Sequence, residues 1–287
     1  MKRRAVAQLK GGVGKSTTTL FLAEHWALRQ MRILVIDLDP QASVSFMLLS
    51  SHGVANAEAM HKTLPQLFED ERNGSRRQAL SYIVPRASDL IELQGQSAGL
   101  VSVLPCVPKL WFQQFDFDRQ CYRRGVEPVD EIVRILDAFL IEVSGQYDCV
   151  LFDCPPGFNS LTRAAIRLSP DGVFAPTIAD QVSMQSLKDF VELGLQHSMQ
   201  FPWRDRMFVV VSKFTNTIQQ QAILDPMRRN YTVISPPIQM RDQVQIASEY
   251  LTGRQRQYSA KYGRPMLRPI GQDVKRMTDA LFNATFT

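Results

Sequence analysis

Two lysines frame a glycine-rich run near the start of the chain, Lys10-Gly11-Gly12-Val13-Gly14-Lys15-Ser16-Thr17. Glycines let successive backbone N–H groups turn inward around anionic oxygens, and a helix that starts where such a run ends adds the positive end of its dipole. The chemistry this serves is phosphate binding. Lys15 would place a point charge at the β- and γ-phosphates of a nucleotide, and Ser16 would offer its hydroxyl to Mg²⁺. Leu9 stands where the common pattern G-x-x-x-x-G-K-[ST] has its first glycine, so Lys10 is the informative departure.

Carboxylates follow at two further places. Asp37-Leu38-Asp39-Pro40-Gln41-Ala42-Ser43 carries two acids one residue apart after an apolar run, and Cys149-Val150-Leu151-Phe152-Asp153-Cys154-Pro155-Pro156-Gly157 ends an apolar run in an acid and a double proline. Parallel sheets bind ligands outside the carboxyl ends of their strands, where all three acids would stand. An aspartate before Pro-Pro is also an ordinary turn residue. Asp153 as a carboxylate reaching Mg²⁺ through water is the more specific reading, because a small hard cation that bridges phosphates keeps several waters.

The elements that must position these groups alternate. Strand patterns occur at Arg4–Leu9, Arg32–Asp37, Val101–Leu104, Cys149–Asp153, Gly172–Ala175, Met207–Val211 and Tyr231–Ile234; helical patterns fill Lys15–Gln30, Pro128–Val143, Ser160–Leu168, Ser183–His197, Thr217–Arg229 and Asp273–Asn283. Such β/α alternation predicts an α/β fold, a doubly wound and mostly parallel sheet with helices on both faces. The whole of residues 1–287 is expected to form one domain, with an irregular elaboration at about 50–118 that holds a short helix at Thr63–Phe68, and a basic C-terminal segment at about 241–287.

Composition narrows the classes. With 287 residues, 45% of them hydrophobic, the chain can bury a large core without staples. Cys106, Cys121, Cys149 and Cys154 make no C-x-x-C pair, so neither a zinc site nor a disulfide framework is indicated and a reduced, cytoplasmic setting is expected. No apolar run approaches membrane-spanning length, and the start shows no signal-peptide pattern. The net charge of +5 is concentrated: between Arg241 and Arg276 eight basic residues face three acidic ones. Arg241, Arg254, Arg256, Lys261, Arg264 and Arg268 are therefore candidates for contact with a polyanion, nucleic acid above all, against the plainer reading of a solvated face.

The string K-G-G-V-G-K-S-T resembles the deviant Walker A box of the ParA/MinD superfamily of dimerising P-loop ATPases. D-x-D-P-Q and D-x-P-P resemble its two switch segments, and the likeness runs from Arg4 to about Leu281. The resemblance implies ATP and Mg²⁺ as ligands, with Gly11 to Thr17 around the phosphates and Lys10 reaching those held by the other subunit of an ATP sandwich homodimer. It implies that Asp39 positions the attacking water and that Asp37 and Asp153 help to hold Mg²⁺ with Ser16. The family commonly has glycine where Ala42 stands. Adenine would lie between Lys213 and Pro237, although Lys213 departs from the usual asparagine or small residue, and Ser212-Lys213-Phe214-Thr215 in place of N-K-x-D favours ATP over GTP.

The implied activity is slow ATP hydrolysis, stimulated by a ParB-type centromere-binding or adaptor protein, in a nucleoid-associated dimer that binds DNA without sequence preference and partitions it. Little sequence precedes the first strand, so an operator-binding helix-turn-helix domain is not expected. One alternative is a ParA-like positioner of non-DNA cargo. Another is a MinD-like ATPase anchored by an amphipathic tail, for which Val274, Met277, Leu281 and Phe282 form a stripe. That stripe is expected to pack on the domain instead, without stable membrane association. An iron–sulfur carrier ATPase would have only Cys106 and Cys121 to offer as cluster ligands.

Overall fold

A computed structural model describes residues 1–88, 100–195, 202–240 and 268–286. Seven strands form a single sheet: β1 Lys2–Val6, β2 Ile33–Asp37, β3 Val101–Leu104, β4 Cys149–Asp153, β5 Val173–Ile178, β6 Met207–Ser212 and β7 Thr232–Ile234. Their order is β3-β2-β4-β1-β5-β6-β7 and every pairing between them is parallel. Parallel strands covered on both faces need no polar alternation, and β2 (I-L-V-I-D) and β4 (C-V-L-F-D) are buried throughout. The doubly wound α/β reading of the sequence is therefore correct.

Nine α-helices connect and cover these strands among the described residues: α1 Lys15–Ala27, α2 Ser43–Ala59, α3 Leu64–Asn73, α4 Leu110–Arg123, α5 Pro128–Glu142, α6 Ser160–Arg167, α7 Gln181–Asp189, α8 Ile218–Asn230 and α9 Arg268–Phe286. One face of the sheet carries α1, α9 and the start of α2, packed through Leu20, Trp26, Val44, Leu48, Met277 and Leu281. The other carries α3 and α5 to α8, through residues such as Leu67, Phe139, Ile166, Leu187 and Met227. Eleven of the thirteen residues of α1 are buried, as expected of a helix wedged between the sheet and a further helix.

Three sequence expectations need correction. The described residues of the stretch 50–118 are not irregular: they hold most of α2, all of α3, the edge strand β3 and the start of α4, while 89–99 lie outside the described residues. The first strand begins at Lys2 rather than Arg4, because its basic residues are paired instead of trailing in solvent. Lys2 bonds Asp171 at 2.9 Å, and the fully buried Arg4 guanidinium lies 4.6 Å from the centre of the Phe286 ring. The helix expected over Ser183–His197 starts two residues earlier, on an Asp180 cap, and turns π-helical over Phe190–Leu195.

The amphipathic tail also has a settled place. Val274, Met277 and Leu281 are fully buried, and the Trp26 indole of α1 contacts the rings of Phe282 and Phe286 edge-on while donating to the Thr278 carbonyl at 3.2 Å. The stripe is covered by the domain rather than presented to lipid. Among the described residues no helix is long and apolar enough to cross a membrane.

Candidate phosphate-binding site

The loop after β1 begins the site. Gly12 and Gly14 both take left-handed backbone, at φ 71° and 89°, conformations that glycine enters without the penalty other residues meet. Gly14 is the residue before α1, and its carbonyl accepts the Thr18 N–H at 2.9 Å. The loop is braced from behind: Ser212, at the end of β6, donates its hydroxyl to the Val13 carbonyl at 2.7 Å. Lys15 is buried, with its ammonium 3.3 Å from the Lys10 carbonyl, and burial lowers its pKa against the opposing pull of Asp153 and Asp39. A cation held this way is short of counter-charge.

Register delivers the acids. Asp37 and Asp153 are direct partners at the last positions of β2 and β4, so two carboxylates stand side by side in the interior. Burial raises both pKa values: Asp153 is pushed up to about 6, its proximity to Asp39 adding to the effect while the nearby Ser16 and Thr19 hydroxyls pull the other way. Asp37 rises well above the carboxylate range through burial and Asp153. Their hydrogen bonds differ in a way that separates their roles. Asp37 accepts the Asp39 N–H at 3.0 Å on one oxygen and, on the other, the Ser45 N–H at 3.1 Å and hydroxyl at 2.6 Å, which pins the loop to the start of α2. Asp153 accepts Thr19 at 2.8 Å through Oδ1, whereas its buried Oδ2 has no hydrogen-bond partner.

A buried, unpartnered carboxylate oxygen beside the Ser16 hydroxyl and Lys15 is costly unless a cation completes it. The residues thus fit a small hard cation. Asp39, also buried, has its pKa raised by burial and accepts the Gln41 N–H at 2.9 Å on one oxygen. Ala42 follows with φ 53°, left-handed backbone that explains in steric terms why glycine suits this position.

A cavity of about 570 Å³ opens over the loop, lined among others by Gly11, Gly12, Gly14 to Thr17, Asp39 and Lys213, a size that accommodates a nucleotide. It is also lined by Ile238, Gln239 and Met240, the three residues that directly follow Pro237, and not by Pro237 itself. Thr18, Gln41, Ser43, Met47, Pro156 and Ser212 also line it and were not assigned to the site from sequence; of these Met47 alone lies outside any quoted motif or run. Lys10 does not line the cavity: its ammonium is 2.7 Å from Ser183 Oγ and 3.5 Å from Asp180. Among the DNA-contact candidates, Arg241, Arg254, Arg256, Lys261 and Arg264 lie outside the described residues, and of Arg268 only the helical backbone is described.

The cysteines are buried, with Cys149 pushed up to about 12 and Cys106 and Cys154 well above the thiol range by burial, so these thiols stay protonated and act as apolar packing.

A family model described as an AAA domain matches residues 1–197, more than half of the chain. The chain belongs to this family. The likeness to ParA-type proteins read from the motifs is borne out by named relatives. "Chromosome partitioning protein ParA" of Myxococcus xanthus is 27% identical over 196 residues, 66% of this chain and 59% of that protein. "Putative replication protein A" of Sinorhizobium fredii is 32% identical over 185 residues, 63% of this chain, which spans only 41% of that relative's length. In structure, a putative plasmid partition protein from Borrelia burgdorferi, bound to AMPPNP, aligns with a TM-score of 0.71 over 98% of each chain at 15% identity, a likeness that bears on the fold.

Proposed function

We propose that this chain is an ATP hydrolase that closes two copies face to face around bound nucleotide and partitions DNA. The observation that carries this reading is that the glycine loop, buried Lys15 and Asp39 line one cavity at the carboxyl edge of the sheet, with the unpartnered oxygen of Asp153 buried close to Lys15 and Ser16. The loop N–H groups and Lys15 would bind the β- and γ-phosphates, and Ser16 and Asp153 would hold Mg²⁺, the carboxylate through water. Bound there, Mg²⁺ supplies neutralisation of the charge that develops on the phosphates. Asp39 would orient the attacking water, while Asp37 acts from behind by fixing the Asp39 loop to α2. Lys10 would act on the nucleotide of the second copy.

The names of the relatives support DNA partition as the task, and the basic excess at 241–276 supports sequence-independent phosphate contact. A ParB-type or adaptor partner would stimulate hydrolysis and release the dimer from DNA.

Two substitutions test the reading. Lys15→Ala is expected to weaken ATP binding by about 3 kcal/mol or more, on the order of a hundredfold in Kd. Asp39→Ala is expected to keep ATP binding, lose hydrolysis and stay on DNA. An Asp39→Ala protein that hydrolyses ATP at the unmodified rate would overturn the assignment. DNA retention with ATP should fall at least roughly tenfold between 50 and 200 mM salt, and indifference to salt would remove the electrostatic part.

A further inference from the structure

Lys10 has an occupation of its own in the single chain. Its ammonium donates to Ser183 Oγ at 2.7 Å and stands 3.5 Å from both oxygens of Asp180. The two acceptors form a built unit: Asp180 caps α7 by accepting the Ser183 N–H at 2.7 Å, and the Ser183 hydroxyl donates back to the Asp180 carboxylate at 2.9 Å. Ser183 is fully buried, whereas Lys10 and Asp180 are partly exposed. A lysine on a glycine loop with no such receptor would be solvated.

From this geometry we infer that Asp180 and Ser183 are positioning residues that hold Lys10 within its own subunit and release it only when a second copy offers a stronger anion. The inference rests on the proposed role of Lys10 toward the partner's nucleotide and adds what that role must compete with. Nucleotide phosphates, carrying more charge than one half-exposed carboxylate, draw the ammonium away; until they do, the latch keeps Lys10 from roaming the phosphate loop of its own chain.

The element that carries the latch also touches the other end of the site. Beyond Asp189, α7 runs into the π-helical Phe190–Leu195, a geometry frequent at functional positions. There the Phe158 ring, five residues past Asp153, sits directly on the Gly194 backbone and 5.7 Å from the Phe190 ring. One helical segment thus contacts Lys10 at its start and, through Phe158, the loop after Asp153 at its end.

The test is a double-mutant cycle on dimerisation with AMPPNP and Mg²⁺, followed by sedimentation. Asp180→Asn keeps a good helix cap and removes the charge; Ser183→Ala keeps the cap and removes the hydroxyl. Each should tighten the dimer by about three- to tenfold, the worth of an exposed ion pair or a charge-assisted hydrogen bond. In a Lys10→Ala background neither should have an effect. Without nucleotide, amine labelling at Lys10 should be faster in Asp180→Asn than in the unmodified chain. Equal tightening in both backgrounds, or unchanged labelling, would overturn the latch. A Lys10→Ala protein that dimerises as tightly as the unmodified one would overturn the role of Lys10 in the partner's site, and this inference with it.

Discussion

At the scale of single residues, what distinguishes the acids is burial and partners. Asp153 has a pKa of about 6 in the folded chain against an ordinary value near 4, so without a cation its protonated form favours folding. That contribution is complete below the ordinary value and is lost as pH rises through about 6. The melting temperature of the nucleotide-free, magnesium-free protein should therefore fall between pH 5 and pH 7.5, and the fall should be smaller in Asp153→Asn. Magnesium with nucleotide should remove most of the difference. The identity of these residues was legible in the sequence because Asp37 and Asp153 end apolar runs and Lys15 closes the glycine-rich string; the structure puts Lys15 and Asp39 on one cavity and Asp153 close to both. Their division of labour was not. Nothing in D-x-D-P-Q reveals that Asp37 is spent on Ser45, since that contact depends on where α2 starts.

At the scale of elements, the sequence was readable where apolar periodicity was strong and unreadable where exposed aromatics blurred it. The strands β2 and β4 read as uninterrupted apolar runs and stand where expected. By contrast α4 (L-W-F-Q-Q-F-D-F-D-R-Q-C-Y-R) buries only Leu110 and Cys121 and exposes Trp111, Phe112, Phe115 and Tyr122, so no single apolar stripe marks it as a helix. α7 starts two residues before the expected Ser183 because the Asp180 side chain caps it by accepting the Ser183 N–H. In the π-helical turn beyond it, a Cβ added at Gly194 would overlap the Phe158 ring. Gly194→Ala should cost about 1–3 kcal/mol of stability in denaturant unfolding, the usual consequence of overpacking. A cost near zero would show that Phe158 can leave Gly194 freely, and would argue against a firm contact between this segment and the loop after Asp153.

At the scale of the whole molecule, the packing under α9 and the groups suited to chemistry lie at different places on the sheet. On one side α9 closes over α1 through Trp26, which touches Phe174, Phe282 and Phe286 and is fully buried. Trp26→Ala should destabilise the fold by about 3–5 kcal/mol, read as a shift in denaturant midpoint, without altering the residues that line the cavity. The carboxyl edge, where β1, β2 and β4 end, gathers the groups that chemistry needs. Lys10 is held by Asp180 and Ser183, and the proposed second copy is what would draw it away. The most direct measurement is the solution mass of Asp39→Ala with ATP and Mg²⁺, by sedimentation or light scattering. It is expected to double from the 32.6 kDa of the single chain, and to return to that value in the additional presence of Lys15→Ala. An ATP-bound protein that stays at 32.6 kDa at every concentration reached would contradict the shared-site account.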